Sequence, residues 1–485
     1  MRAVRRAVLG VACAAALAGC STVLAGCGST IDGQAVSIYD DPFTVAGLPA
    51  TSGPNGPRAG AVPANREATG GDGGEVDQLA IDAIEDIEAY WETEYPKHFP
   101  GGFTPVDEIV SWDSDDTGRG VEFCGEGTYG LTNAGYCSPD NTIGWDRGNL
   151  LPVMIESFGP MSVVMVLAHE YGHAIQQQSG IVSENDPGIV FEQQADCFAG
   201  AFIRHVAEGN AEHFTINTSD GLNSVLAATV SIRDSDPNDP QSVHGSAFER
   251  VTAVQIGFTD GPEACARIDE AEIEDRRGDL PQQFNSPRDT GELPVTEDTL
   301  GEFTKALGVI FPDTPPPTID YSDADTGCTN ARTTQPVSYC PATTTIGVDV
   351  PALAERGAPQ AIPRNGLPLT VTGDYNAYVL FGSRYTLAVQ QHAGQSLDDP
   401  RTPLRTACLS GVFTAGLATD RGPDAGDFQL SPGDLDEAVS GLLTDGLAAS
   451  DANGQTVPSG FSRVDAFRTG VLGGEDACTA RYGGA

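Results

Sequence analysis

Basic residues are scarce in this chain of 485 residues: 26 lysines and arginines stand against 68 aspartates and glutamates, a formal charge of -42. The acidic residues are spread along the chain, so the imbalance excludes electrostatic capture of nucleic acid or anionic lipid and reads as a solvated surface. Beyond the N-terminal segment no apolar run is long enough to cross a bilayer, which rules out a later spanning helix. Histidine is rare too, seven in all, and His98, His205, His213 and His392 lie in no motif, so no chemistry is assigned to them. What is there is an ordinary hydrophobic content of 40%, enough to bury a core. The length exceeds what one core usually organises, so two domains are expected.

Met1 to Arg6 is basic and Ala7 to Ala18 is apolar and small, the pattern of a secretory signal. Leu-Ala-Gly-Cys follows twice, ending at Cys20 and at Cys27, and each copy resembles the lipobox at which bacterial lipoproteins are cut and acylated. Parity selects Cys27. Cleavage there leaves eight further cysteines, all able to pair in an oxidising compartment, whereas cleavage at Cys20 leaves nine. The run from Cys27 to Ser37 also resembles the start of mature actinobacterial lipoproteins, although the length of the apolar region favours Cys20. The expectation is a signal peptide over residues 1–26 and export, with a lipid anchor on the outer face of the cytoplasmic membrane. From Asp40 to Gly74 the chain is rich in Gly, Pro, Ala and Thr, which predicts a flexible tether over 27–75.

Met161 to Gln178 reads as a helix, with Val163, Val164, Leu167, Ala168, Ala174 and Ile175 at helical spacing. His169 and His173 are four residues apart, so both imidazoles leave one face about a turn apart and can reach one Zn2+. Glu170 lies beside the first ligand, placed to act as general base without itself ligating. A catalytic zinc needs a third protein ligand and an open position. Ile189 to Val206 reads as a second helix carrying Glu192 and Asp196 one turn apart, and the loop containing Asp186-Pro187-Gly188 lets it return antiparallel beside the first. Glu192 is expected as the third ligand, with Asp186 as the alternative, and Asp196 as the carboxylate that orients a ligand imidazole.

Trp91, Phe123-Cys124-Gly125, Tyr136 to Asp140, the HEYGH helix, Glu192 to Gly200 and His244-Gly245-Ser246 through Arg250-Val251 together resemble the bacterial neutral zinc metallopeptidase family, and most closely its actinobacterial lipoprotein peptidases. The resemblance covers roughly residues 76 to 270. It implies a zincin-like fold, a small sheet over the metal-bearing helix with an edge strand that binds extended peptide. Ala174 departs from it, where many relatives carry another histidine, outside the ligand set. His244 and Arg250 are six apart, as in the HPPxxxR segment of membrane-embedded CAAX-type zinc peptidases. By that likeness His244 donates a hydrogen bond to the tetrahedral oxyanion.

The cysteines repeat in order and spacing. Cys124 and Cys137 correspond to Cys328 and Cys340, and Cys197 and Cys265 to Cys408 and Cys478. Gly135 to Asp146 resembles Ser338 to Asp349, and Arg250 to Cys265 equals Arg463 to Cys478 in length, with Gly257 opposite Gly470. This reads as an internal duplication. In that register Ser383, Arg384 and Leu387 stand where His169, Glu170 and His173 stood, Pro403 replaces Glu192, Ala407 replaces Asp196 and Val457 replaces His244, so the second copy cannot hold zinc. The simplest disulfide framework then joins each set within its own copy, Cys124 to Cys137, Cys197 to Cys265, Cys328 to Cys340 and Cys408 to Cys478. Sequence alone leaves other pairings open. The hinge is expected near Asn285 to Pro294, with Val295 to Phe311 as the first helix of the second copy.

The fold expected is α+β, mostly helical with small sheets: a zincin-like domain over residues 76–290 and a degenerate copy over 291–485. The function expected is peptide hydrolysis, with Zn2+ as cofactor, an envelope or secreted protein as substrate, the membrane met through the lipid anchor and no nucleic acid partner. The competing expectation is a binding or scaffolding lipoprotein with structural zinc, whose C-terminal copy recruits a protein partner. Three protein ligands beside a glutamate favour catalysis, because structural zinc is normally closed by four.

Overall fold

The computed structural model describes residues 40–118, 120–234, 243–284, 286, 290–359, 371–419, 422 and 426–483. The signal peptide, Cys20, Cys27 and the start of the expected tether lie outside them, as do Asn285 and Pro287 to Asp289 of the expected hinge. From Asp40 to Gly74 the tether expectation fails, because this stretch lies along the folded body. Thr44–Val45 (β1) pairs with Leu48–Pro49 (β2), and Gly56–Pro57 (β3) pairs antiparallel with residues 214–215. Arg58 donates to the carbonyls of Ala211 and Phe214, each at 3.0 Å, and Thr218 Oγ1 accepts from Thr51 N at 2.8 Å. Val45 and Ala64 are buried. Composition measures what a segment can bury by itself, whereas this one is held by polar partners far along the chain that satisfy its backbone groups.

Glu75–His98 (α1) begins with Glu75 and Asp77 and ends with Lys97 and His98, charges that complement the helix dipole. Its buried face carries Leu79, Ala80, Ala83, Ile84, Ile87 and Trp91. Glu108–Trp112 (β4) follows, then the small hairpin Glu122–Phe123 (β5) and Glu126–Gly127 (β6), then Ala134–Cys137 (β7) and Thr142–Asp146 (β8). β8 is central and wholly buried, parallel to β4 and antiparallel to β7, which is left as an edge. The Cys124–Cys137 disulfide ties the hairpin to that edge. Leu150–Phe158 (α2), Met161–Ser179 (α3) and Gly188–Ala207 (α4) follow, then Phe214–Thr215 (β9), Asp220–Ser231 (α5), Ala247–Asp260 (α6), Pro262–Cys265 (α7) and Glu270–Arg277 (α8). The Cys197–Cys265 disulfide joins α4 to α7.

The later segment runs in a parallel order. Glu297–Ile310 (α9) starts from a Thr296 capping box, close to the helix expected there. Thr318–Asp320 (β10), Val337–Cys340 (β11) and Thr345–Val348 (β12) form a sheet in which β12 is central, parallel to β10 and antiparallel to β11. Val350–Arg356 (α10), Tyr375–His392 (α11), Thr402–Ala418 (α12), Asp434–Thr444 (α13) and Gly460–Tyr482 (α14) complete it. Disulfides join Cys328 to Cys340 and Cys408 to Cys478, so all four cysteine pairs are those expected. The body is thus mixed, mainly helical with small sheets. No helix among the described residues is long and apolar enough to cross a membrane.

Two helix crossings set the interior. A Cβ on Gly257 would lie 1.7 Å from the Cys197 carbonyl oxygen and one on Gly200 2.1 Å from that of Val254, so α4 and α6 touch backbone to backbone. The same holds for α12 and α14, where a Cβ on Gly470 would lie 1.8 Å from the Cys408 oxygen and one on Gly411 2.0 Å from that of Phe467. Between the two segments α5 and α6 pack on α13 and α14. Phe258 and Phe461 meet at 4.8 Å between ring centroids, and Gln255 Nε2 donates to the Phe461 carbonyl at 3.0 Å.

Candidate metal centre

α3 is buried from Met161 to His169, and Gly180 closes it in the left-handed conformation (φ 67°, ψ 26°). It crosses α4 at Gly172, where a Cβ would lie 2.8 Å from Ala195 Cα. That approach brings the His169 and His173 face against Glu192 and Asp196. His169 Nε2 lies 3.2 Å from Glu192 Oε2, and His173 Nε2 lies 3.7 Å from Glu192 Oε1. One ligand atom from each of the three residues falls within 4.8 Å of the others. Glu192 Oε2 is buried with no hydrogen-bond partner. A buried carboxylate oxygen facing two imidazole nitrogens is the arrangement a divalent cation satisfies, and His2Glu is a donor set suited to zinc with an open position.

Each imidazole is fixed from behind. Asp196 Oδ1 meets His169 Nδ1 at 2.8 Å, and Arg250 grips Asp196 with two hydrogen bonds of 2.8 Å, Nε to Oδ2 and Nη2 to Oδ1, while its Nη1 donates to the Ile232 carbonyl at 2.8 Å. Gln176 Oε1 meets His173 Nδ1 at 2.9 Å. The Gln176 amide is in turn held by the Phe191 carbonyl and by Gln194 Oε1, and Gln194 donates to the Ile268 carbonyl. With Nδ1 of each ring facing an oxygen acceptor, Nε2 is the nitrogen turned to the centre in both.

Burial presses the His169 ring toward neutrality, but Asp196 and Glu192 outweigh it and push the ring up to about 10. Burial likewise raises Glu192, and the His169 ring, with His173 and His244 behind it, brings the carboxyl down to about 2. A cation taking the place of the His169 proton would keep this balance of charge. Glu170 is the opposite case. Burial, helped by the charge of Glu192 and opposed by the two imidazoles, holds its carboxyl above the ordinary range, and Tyr136 N on edge strand β7 donates to its Oε2 at 3.0 Å. A carboxyl raised in this way is a stronger base than a free one.

The structure therefore brings together His169, Glu170, His173, Glu192 and Asp196. His244 also faces the site, its Nε2 3.9 Å from Glu192 Oε2 and its Nδ1 3.0 Å from Asp234 Oδ1. Asp186 does not join it. Its carboxylate is used by Ser183 in the exposed interhelical loop, accepting from the backbone N at 2.7 Å and from Oγ at 3.0 Å, so the alternative third ligand is corrected in favour of Glu192. The sequence reading missed Gln176, Gln194, Asp234 and the grip of Arg250 on Asp196. Gln176 sits one turn beyond His173 and was open to the same spacing argument; nothing local to Asp234 marks it. The residues that the expected repeat sets opposite the motif, Ser383, Arg384 and Leu387, are buried on α11, and Arg384 donates to Ser450 Oγ and the Leu447 carbonyl. Among the described residues one other group of potential ligands is equally close, the carboxylates of Glu292, Asp374 and Glu437.

Two helices presenting His2Glu with an adjacent glutamate define the class of the centre, a candidate site for a divalent metal. Comparison with known proteins adds relatives but no activity. Uncharacterized proteins of Mycobacterium tuberculosis (Rv2575 in strain H37Rv, MT2651 in strain CDC 1551) and of Mycobacterium bovis (Mb2605) are each 26% identical over 164 residues, which cover 28% of this chain and 56% of the relative. The chain thus spans about half the length of the relatives it matches. No family model matches the chain, and no solved structure does.

Proposed function

We propose that this chain is a zinc-dependent endopeptidase of the bacterial neutral zinc metallopeptidase type, exported and lipid-anchored through Cys27 at the outer face of the cytoplasmic membrane. The observation that carries the reading is the convergence of His169, His173 and Glu192 within 4.8 Å, with a buried Glu192 oxygen facing His169 at 3.2 Å and Glu170 beside them. Zn2+ held there supplies a Lewis acid that polarises a scissile carbonyl and acidifies water. Glu170, its carboxyl raised by burial, takes a proton from the attacking water and delivers it to the leaving amine. The Tyr136 N–H holds that carboxylate in place, so edge strand β7 and the general base share one contact. His244 faces the same space and donates to the developing oxyanion. A small sheet with an edge strand beside the metal-bearing helix is what a zincin-like arrangement requires, and it suits an extended peptide from an envelope or secreted protein.

The later segment is read as a degenerate copy of the first. Four likenesses support this: the same strand order and directions in β4-β8-β7 and β10-β12-β11, the same disulfide placement, the same glycine pairs at the α4/α6 and α12/α14 crossings, and a left-handed glycine breaking α6 from α7 at Gly261 (φ 77°) and kinking α14 at Gly474 (φ 65°). The test of the enzymatic reading is Glu170→Gln. The variant is expected to keep one zinc per chain by metal analysis and to lose cleavage of a reduced and alkylated protein. Undiminished cleavage would rule out Glu170 as the base.

A further inference from the structure

The interface between the two segments is reciprocal. On α5, Asn223 Oδ1 accepts from Gly460 N at 2.7 Å, at the start of α14. On α13, Asp436 Oδ1 accepts from Phe248 N at 3.0 Å, at the start of α6. The acceptors are displaced by the same number of residues as Arg250 and Arg463 and the donors by one fewer, so each segment caps the other's helix within one residue of an equivalent place. The two contacts are not equivalent in consequence. α14 begins beside Val457, where no ligand stands. α6 begins three residues after His244 and carries Arg250, which holds Asp196 and through it His169.

Asp436 reaches the site by a second route. Its Oδ2 lies 3.4 Å from Arg233 Nε, with both side chains largely buried. The next residue, Asp234, accepts from the Gly245 backbone N–H at 2.8 Å and bonds His244 Nδ1 at 3.0 Å, and its own N–H donates to the Gly245 carbonyl at 3.1 Å. One buried carboxylate of the later segment is therefore bonded to both ends of the frame that holds His244: the residue before Asp234 and the first turn of α6. The Coulomb pairing and the cap together fix where the ring points.

We infer that the later segment serves as a built-in partner of the first, and that Asp436 is a positioning residue for its reaction, acting through Arg233–Asp234 and the start of α6 on His244. The inference rests on the peptidase reading for its kinetic consequence, and on geometry alone for its structural one.

The test compares Asp436→Ala, Asp436→Asn, His244→Ala, the Asp436→Ala/His244→Ala double variant and Asn223→Ala in the full chain. Asp436→Ala is expected to lower kcat about 10-fold or more while KM stays within about 2-fold and one zinc per chain is retained, the signature of a contact used in the transition state. The double variant is expected to be no worse than His244→Ala alone, because residues acting through one another do not add. Asp436→Asn, which keeps an acceptor for Phe248 N–H, should recover part of the loss. Asn223→Ala removes the reciprocal cap and should leave kcat unchanged. Independently of activity, the His244 imidazole 15N–1H resonances should shift in Asp436→Ala and stay in place in Asn223→Ala. Losses that multiply in the double variant, an equal loss in Asn223→Ala, or unmoved His244 resonances would overturn the inference. If Glu170→Gln still cleaves, the peptidase reading fails by itself and the resonances alone decide the role of Asp436.

Discussion

Asp196→Asn perturbs the centre without touching a ligand. The wild-type carboxylate accepts three hydrogen bonds, two from Arg250 and one from His169, and both Asp196 and Arg250 are essentially buried. An asparagine of the same shape cannot serve both neighbours. If its oxygen keeps His169 Nδ1 and Arg250 Nη2, its NH2 meets the Arg250 Nε–H, donor against donor at 2.8 Å, and the guanidinium is left buried without a counter-charge. If the amide turns over, the NH2 donates to His169 Nδ1 and forces the hydrogen onto Nε2, the nitrogen the metal needs. The first arrangement costs about 3–5 kcal/mol of folding stability, the usual penalty for orphaning one partner of a buried pair. The second weakens zinc by about 10–100-fold, the usual effect of removing the group behind a ligand imidazole. Competition titration of zinc against a chelator, beside thermal unfolding with and without metal, measures both. One of the two quantities must fall. A variant with wild-type zinc affinity and wild-type unfolding would refute the claim that Asp196 orients His169.

Gly172→Ala places a methyl 2.8 Å from Ala195 Cα and 3.0 Å from its carbonyl oxygen, so α3 must back away from α4; about 1–3 kcal/mol of stability and a measurable share of zinc affinity should be lost, read by the same titration. Removing the Cys197–Cys265 bond by serine at both positions frees α4 from α7, and denaturant unfolding should show a loss of about 2–4 kcal/mol with weaker zinc, whereas an unchanged midpoint would mean the helix pair holds itself. Away from the centre, burial beside other carboxylates pushes Glu437 up to about 9 and Asp374 up to about 7. The native chain there keeps protons that the unfolded chain releases above about pH 4, so this contribution is complete in acid and is lost as pH rises toward 9. The thermal midpoint should fall across that window and fall less in Glu437→Gln; a midpoint that climbs with pH, or an equal slope in the variant, would count against it.

The ligand helices were legible because their signals are local. Four-residue spacing fixes which side chains share a helical face, and Glu192 and Asp196 repeat on α4 the spacing of His169 and His173 on α3. The eight cysteines paired as their repeated order implied. Where the determinants lie far apart in sequence, reading failed. Asp40 to Gly74 looked like a tether because Gly and Pro bury little, yet Asp82 and Thr218 take up its backbone at Ala64 and Thr51, and its Arg58 reaches out to the Ala211 carbonyl, contacts no local pattern encodes. Asp234 and Asp436 were invisible for the same reason. Each is one of 68 acidic residues, and only the packing of α5 and α6 on α13 and α14 shows what they hold.

On the proposed duplication, what the later segment keeps and what it has lost separates two kinds of residue. The four cysteines are retained as two disulfides, and so are the glycines at the helix crossings, where a Cβ at Gly411 or Gly470 would strike backbone 2.0 or 1.8 Å away. Arg463 stands where Arg250 does, but with Ala407 in place of Asp196 it donates instead to the carbonyls of Leu442, Val457 and Leu443. The ligand positions have become Ser383, Leu387 and Pro403, all buried. A segment selected only for chemistry would have no reason to preserve the crossings once the ligands were gone; one selected as the other half of an interface must preserve them, since they set where α13 presents Asp436.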